Sequence, residues 1–495
     1  MNTRSLVLAG ALAALLAAGA RAADGLPDTS KMNVLLIDIE DCNAGVWGCY
    51  GNEICKTPNL DRFAAGAVRF ESAYCQAFCC NPTRTSFLTG LRPPSTRVLS
   101  NGDVMNKHLP AGVLTLPEML KSQGFYTADI GKLFHTVDYA ERQMATFDRI
   151  ELYDKPAGWK GPGPILTFPP VARARAANPP PPKSKGKEFA TWRRKQSDRY
   201  GDSGIPAEQD GDYRKAQVAS ALLKEFAKSK KQFFLAVAQS RPHTPLIAPK
   251  KYIEMYDPAK IPEPPAPLAS LKKFPYMKRA TGGNPDIFTQ QQPTPQQVRE
   301  AIAAYYACVS FVDDNVGMIL DTLAQEGLDK NTIVIFLGDH GFHLGDHQFW
   351  SKYSMLEATR RVVFIVRVPG APANGQACRE FVEFVDIVPT LADLLKFDAK
   401  NALEGTSFAP LLVNAARPWK RAVFMTDGNG DNVVRTRQYS YLEFKSGKAD
   451  VPTALYDLQR DPWETVNVAD DPAYAAARKE LAELLHGGWK AALPK

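Results

Sequence analysis

The chain has 495 residues, 45% of them hydrophobic and 23% charged, with 60 Lys and Arg against 53 Asp and Glu for a formal net charge of +7. That length can bury a large core and suggests two or more domains. A positive excess attracts polyanions, but the chain carries no recognisable nucleic-acid-binding motif, which argues against a nucleic-acid partner.

Met1-Asn2-Thr3-Arg4 precedes an Ala- and Leu-rich run ending in Ala20-Arg21-Ala22. A basic start, an apolar stretch and a small-x-small end read as an export signal over residues 1–22. The run is too short for a membrane span and no later segment qualifies, so a periplasmic or secreted protein without stable membrane insertion is expected, with the export machinery as a partner. Asn33 to Ile39 is a β-rich apolar run that ends at Glu40-Asp41, where a strand of an α/β sheet opens into its ligand-bearing loop. A helix starts at Thr57-Pro58, and residues 114–122 form another, followed by a strand over 125–130 and the turn Gly131-Lys132.

Residues 151–210 are rich in Pro and Gly, with Pro179 to Pro182 consecutive, and resist helix and central strand. The basic run between Lys183 and Arg199 reads equally as a solvated loop or a substrate-binding face. A helical period follows over 212–228, a buried strand over 232–237, a second proline-rich stretch over 257–297 and a helix over 298–325. Asn331 to Leu337 is a strand that stops at Gly338-Asp339-His340. Strands alternating with helices argue for an α/β fold with a large, mainly parallel or mixed sheet covered by helices. After about 380 the character changes to a helix, short strands and a terminal helix over 474–486. We therefore divide the chain into residues 1–22, a catalytic domain over 23–380 and a smaller antiparallel-sheet domain over 381–495.

Four separated elements carry polar groups at strand ends: Glu40-Asp41, Cys80 to Arg84, Lys132 and His135 with His243, and Asp339-His340 with Lys352. The eight cysteines have no disulfide-scaffold spacing, although export permits disulfides, and Cys42, Cys49 and Cys55 lack the close pairing of a structural zinc site. Cys79-Cys80-Asn81-Pro82-Thr83-Arg84, with Thr89-Gly90 downstream, resembles the signature of the formylglycine-dependent sulfatases of the alkaline phosphatase superfamily. Only Cys80 stands two residues before Pro82 and four before Arg84. Gly48-Cys-Tyr-Gly51, Gly131-Lys-Leu-Phe-His135, Arg241-Pro-His243, Gly338-Asp-His-Gly-Phe342 and the late Asp461-Pro-Trp-Glu464 also match, most closely the iduronate-2-sulfatase-like branch.

The resemblance implies a sulfatase-like fold and conversion of Cys80 to an aldehyde by a formylglycine-generating or anaerobic sulfatase-maturing enzyme. The hydrated aldehyde attacks sulfur, and its second hydroxyl later expels sulfate. The same resemblance makes Glu40, Asp41, Asp339, His340 and the modified residue 80 the metal shell. Carboxylates and an oxyanion suit calcium first and magnesium second. Arg84, Lys132 and Lys352 would steady the sulfate oxygens, arginine as a rigid fork and lysine as a point charge. His135 would assist sulfate expulsion, and His243 would protonate the departing sugar oxygen.

His343 and His347 stay outside this set, either lining the pocket or joining Asp346 to fix the loop. Phe349 and Trp350 flank a sugar ring or pack the core, and Cys308 packs a helix. The expected reaction is hydrolysis of an O-sulfate on a sulfated saccharide, with a terminal uronate 2-sulfate nearest by resemblance. A phosphate or phosphonate monoester hydrolase on the same site, or a sulfated-glycan-binding protein without turnover, are the competing readings.

Overall fold

The computed structural model describes residues 25–135, 141–151, 187–265, 286–288, 292–428, 430–445 and 453–494. The expected export signal and most of the two proline-rich stretches lie outside the described residues. The strands are β1 Asn33–Ile39, β2 Val68–Tyr74, β3 Tyr126–Ile130, β4 Arg149–Glu151, β5 Tyr200–Asp202, β6 Phe233–Gln239, β7 Leu246–Ala248, β8 Thr332–Gly338, β9 Phe364–Arg367 and β10 Ala377–Glu383. Eight of these make one sheet in the order β10-β2-β9-β8-β1-β6-β3-β4, while β5 and β7 pair separately.

The run from β8 to β4 is parallel throughout. β9 runs against both β8 and β2, and β10 returns parallel to β2. The sheet is thus mixed, as the α/β reading expects, and every strand except β9 has its carboxyl end on one edge. Every residue of β1, β6 and β8 is buried, because helices cover both faces. Parallel strands in that position read as near-continuous apolar runs, and Asp38 is the one charge within β1.

One face is covered by the helices Gly211–Ser229 and Pro295–Gln325, whose apolar sides join β1, β6 and β8 in one core. The longer helix starts with a capping box in which Thr294 and Gln297 exchange side-chain and backbone hydrogen bonds, and Pro295 occupies its first turn. The other face is covered by Cys80–Thr89, Leu116–Ser122 and Ile387–Leu395.

The C-terminal part is a four-stranded antiparallel sheet of β11 Ala422–Thr426, β12 Asn432–Thr436, β13 Tyr439–Glu443 and β14 Thr453–Asp457. The helix Ala475–Gly487 packs on it through Leu481 and Leu484. β10 belongs to the large sheet and spans position 381, where the sequence reading divides the chain. The end of the stretch expected to resist helix holds one, Lys187–Ser197. The physical reason is local: Pro and Gly are absent from residues 187–200, so nothing there breaks a helix.

All eight cysteines are free. No helix among the described residues is long and apolar enough to cross a membrane.

Candidate active site

Five loops bring their polar residues to the carboxyl edge of the sheet: those after β1, β2, β3, β6 and β8. This is where open α/β sheets place ligands. Cys80 follows β2 as the first residue of the helix Cys80–Thr89, with Cys79 extended before it. Backbone N–H groups at a helix start favour negative charge. The whole helix is buried despite its polar sequence, and its threonine hydroxyls bond inward. Thr83 donates to the Ala77 carbonyl at 2.7 Å and Thr89 to that of Thr85 at 2.6 Å.

Cys80, Asp41, Asp339 and His340 are buried, and their ligand atoms lie within 4.8 Å of one another. Cys80 Sγ is 3.2 Å from His340 Nε2, 3.6 Å from Lys352 Nζ and 3.9 Å from Asp41 Oδ1. Lys352 Nζ donates to both Asp41 oxygens, at 2.9 and 3.0 Å. Asp41 holds a left-handed backbone, φ 52°, uncommon for a residue with a side chain. Two contacts fix it there: its N–H donates to Asp339 Oδ1 at 3.0 Å, and its carbonyl accepts from the Tyr305 hydroxyl at 2.7 Å.

Arg84 bonds Asp38 and the Lys132 carbonyl through Nη1, and Asp339 through Nη2 at 2.9 Å. Lys132 Nζ donates to Glu40 at 2.6 Å, so the Glu40 carboxylate lies on lysine and outside the four-residue cluster. Lys132 is set by Gly131, whose φ is 113° and whose missing Cβ would lie 2.4 Å from the Ala238 carbonyl oxygen on β6. His243 approaches from β6, with Nε2 3.9 Å from Asp41 Oδ2 and Nδ1 at 2.8 Å from the Thr244 carbonyl. Its side chain is 30% exposed, so it stands at the open side of the cluster.

The charges are strongly coupled. Burial opposes ionisation of Glu40, but Lys132 and Arg84 hold its carboxyl at about 2. Asp339 likewise sits at about 2, burial being outweighed by His340 and Arg84. Burial would also depress His340, yet Asp339, Cys80 and Asp41 lift its ring to about 9. Burial, Lys132 and Arg84 drop His135 to about 3, which leaves it neutral near pH 7.

Asp38 is a site residue that the sequence reading passed over. Burial, partly offset by Arg84, and repulsion from Asp339 and Glu40 push it up to about 7. Its Oδ1 has no hydrogen-bond partner among the described residues. A carboxylate inside a wholly buried strand was the available signal.

The residues fit a hard divalent cation. Four carboxylates, those of Asp38, Glu40, Asp41 and Asp339, face three fixed cations, Arg84, Lys132 and Lys352. Asp339, residue 80 and Asp41 together draw a proton onto His340. Asp41, Asp339, His340 and residue 80 offer ligand atoms at one point. Of the remaining candidates, His343 bonds Asp346 through Nδ1 and Ser354 through Nε2 at 2.7 Å, fastening the loop that carries Lys352. Phe349 and Trp350 are buried at 3% and 1% exposure and meet His343 and Phe288 edge-on, so they pack the core.

The same organisation occurs in known proteins. Residues 32–397 match the sulfatase family and residues 345–489 match the C-terminal region of N-sulphoglucosamine sulphohydrolase. A sulfatase of Formosa agariphila is 29% identical over 92% of this chain and 87% of its own length. Iduronate 2-sulfatase of Mus musculus is 30% identical over 75% of this chain and 70% of its own. The crystal structure of the phosphonate monoester hydrolase of Agrobacterium radiobacter superposes with a TM-score of 0.75 at 24% identity, covering 92% of this chain and 95% of that one. The chain belongs to the sulfatase family. Its buried Asp/Cys/Asp/His cluster is the catalytic centre of an ester hydrolase.

Proposed function

We propose that the protein hydrolyses an O-sulfate ester on a saccharide, with a terminal uronate 2-sulfate as the first candidate, after Cys80 is matured to formylglycine. The observation that carries this reading is the meeting of Asp41, Cys80, Asp339 and His340 with three fixed cations at one buried point. As an S–O bond breaks, negative charge grows on the leaving oxygen and stays high on the sulfate oxygens. Cations already in place are the effective response, since they need no rearrangement during reaction. Arg84, Lys132 and Lys352 take that role.

Asp41, Asp339, His340 and residue 80, with Glu40 beside them, would hold a calcium or magnesium ion. When bound, the ion supplies charge neutralisation at the sulfate and at the attacking oxygen. His243, at the open side, donates the proton that the departing sugar oxygen needs. By the family resemblance His135 would take the proton from residue 80 as sulfate leaves, against the pull of burial and its cationic neighbours, which favour the neutral ring.

The 30% identity to the iduronate 2-sulfatase of Mus musculus supports uronate 2-sulfate as the substrate class, and the export-type start supports a periplasmic or secreted location. Sulfate release should be measured from disaccharides carrying either a terminal 2-sulfated uronate or a 6-sulfated glucosamine, beside phenyl phosphonate and phosphate esters. Faster turnover of the 2-sulfated uronate supports the whole proposal. Preference for the 6-sulfate removes the regiochemistry, and preference for phosphorus esters removes the sulfate assignment.

A further inference from the structure

A cavity of about 530 Å³ opens on the face of β2 and β10 turned away from the core, walled by β12 and by the loop after β14. It contains none of the catalytic residues. Two of its walls nevertheless continue segments that do: Asn43 lies just beyond Asp41, and Asp346 lies in the loop leading to Lys352.

We propose that this cavity binds a second acidic sugar unit, separate from the one that is cleaved. Four arginines line it, Arg361, Arg379, Arg435 and Arg437. The nearby carboxylates are shared rather than matched one to one. Glu71 lies between Arg69 and Arg379, Glu357 between Arg360 and Arg435, and Glu464 on Arg360, while Arg437 is paired with Glu380 at 2.5 Å. Among the described residues the Arg361 guanidinium hydrogen-bonds only the Glu71 carbonyl, at 3.4 Å. Nη1 of Arg435 is buried with no hydrogen-bond partner among the described residues. Planar guanidinium forks match carboxylate and sulfate oxygens.

Trp463 stands at the rim of this cavity, 52% exposed beside Pro462. A half-exposed indole next to arginines offers an apolar face for a sugar ring and leaves the charged groups to hold its anion. The volume falls within the ~300–1,000 Å³ usual for small-ligand sites. The class of ligand follows the substrate proposed above and rests on that reading; the cavity itself does not.

Binding of a heparin-derived tetrasaccharide to full-length Cys80→Ala protein, followed by calorimetry, tests the site without turnover. Trp463→Ala combined with Arg437→Gln should weaken that binding about tenfold, or ~1.4 kcal/mol. Both side chains are largely exposed, so the fold should persist. Placed in the Cys80-containing protein, the same pair should leave kcat/KM for a small aryl sulfate within about twofold. Unchanged tetrasaccharide binding in the double variant would overturn the site, as would no binding by the Cys80→Ala protein. Full competition by inorganic sulfate, with no effect of Trp463→Ala alone, would reduce it to an anion hole and overturn the sugar assignment. Arg- and Trp-dependent binding that persists while no sulfated sugar is hydrolysed would uphold the site and reject the proposed function instead.

Discussion

Of the buried ionic clusters about the large sheet, two are built to opposite rules. In the seam towards the C-terminal sheet, Arg92 and Lys420 hold Glu383 and Asp386. All four carboxylate oxygens there accept bonds. Glu383 takes both Arg92 nitrogens at 2.8 and 2.7 Å, and Asp386 takes Lys420 on both oxygens, at 2.7 and 2.8 Å, with the Thr406 and Glu383 N–H groups at 2.8 Å each. At the carboxyl edge, by contrast, carboxylates outnumber fixed cations, Asp38 Oδ1 and His135 Nδ1 lack partners among the described residues, and Asp41 keeps a left-handed backbone. A cluster whose carboxylates are satisfied specifies structure. One left open and strained stores its unmet interactions for a ligand.

The comparison can be broken from either side. The largest effect is expected at the nucleophile: Cys80→Ala should cut turnover of an aryl sulfate by at least about 10⁴-fold and leave the melting temperature unchanged. A large loss of stability instead would mean that residue 80 is chiefly a packing residue. Next comes metal removal. Exhaustive chelation should lower kcat by about 10³-fold, with recovery on calcium and weaker recovery on magnesium. Full activity after chelation would exclude the divalent-ion reading of the excess carboxylates.

A paired substitution sharpens the contrast directly. Lys352→Ala should cost about 10²–10³-fold in kcat of the folded protein, beyond any stability lost with its bonds to buried Asp41. Lys420→Ala should destabilise by about 3–5 kcal/mol, because it leaves buried carboxylates unpaired, while the folded protein keeps its kcat. If both lysines moved activity and stability together, the two clusters would not be different in kind. Asp38→Asn is gentler. It removes the charge behind Arg84 and keeps the shape, so kcat should fall about 10–100-fold as for other supporting partners, with KM changed less. An Asp38→Asn protein with normal kcat would show that Arg84 is positioned by Asp339 alone.

Much of the catalytic edge was legible in the sequence because its carriers are simple. β1, β6 and β8 are apolar runs buried on both faces, and each ends abruptly at polar residues. Reading those ends brought Glu40, Asp41, Asp339, His340 and His243 into view before any geometry. β2, β9 and β10 escaped notice. β2 and β10 alternate or mix charged residues, Val68-Arg-Phe-Glu-Ser-Ala-Tyr and Ala377-Cys-Arg-Glu-Phe-Val-Glu, because one of their faces opens to Arg69, Glu71 and Arg379. β9 is only four residues long, too short to separate from a buried loop by pattern.

Contacts between loops are less legible. Asp38 reads simply as part of a strand, since spacing along a chain says nothing of what a buried charge faces. The Lys132 bond to Glu40 is another contact that no local pattern announces. The His343 bond to Ser354 is of that kind too. Sequence pattern located the loops; the pairing of charges between them needed three dimensions.

The smallest expected effect tests the seam by pH. Burial alone would raise the Glu383 carboxyl, but Arg92 and Lys420 hold it at about 2, below the ~4.3 of an unfolded glutamate. A carboxyl depressed by folding adds stability that is complete above its unfolded value and is lost as pH falls towards the folded one. Wild-type protein should therefore exceed Glu383→Gln in stability at pH 7, and more than about half of that margin should vanish by pH 3. Asp386, pushed upward by burial against the pull of Lys420, works in the opposite direction and shrinks the slope without reversing it. Urea unfolding of both proteins at the two pH values measures the margin. A margin that stays constant would mean Glu383 is held by hydrogen bonds that survive its protonation, and the seam would then be a polar network whose ionisation is incidental.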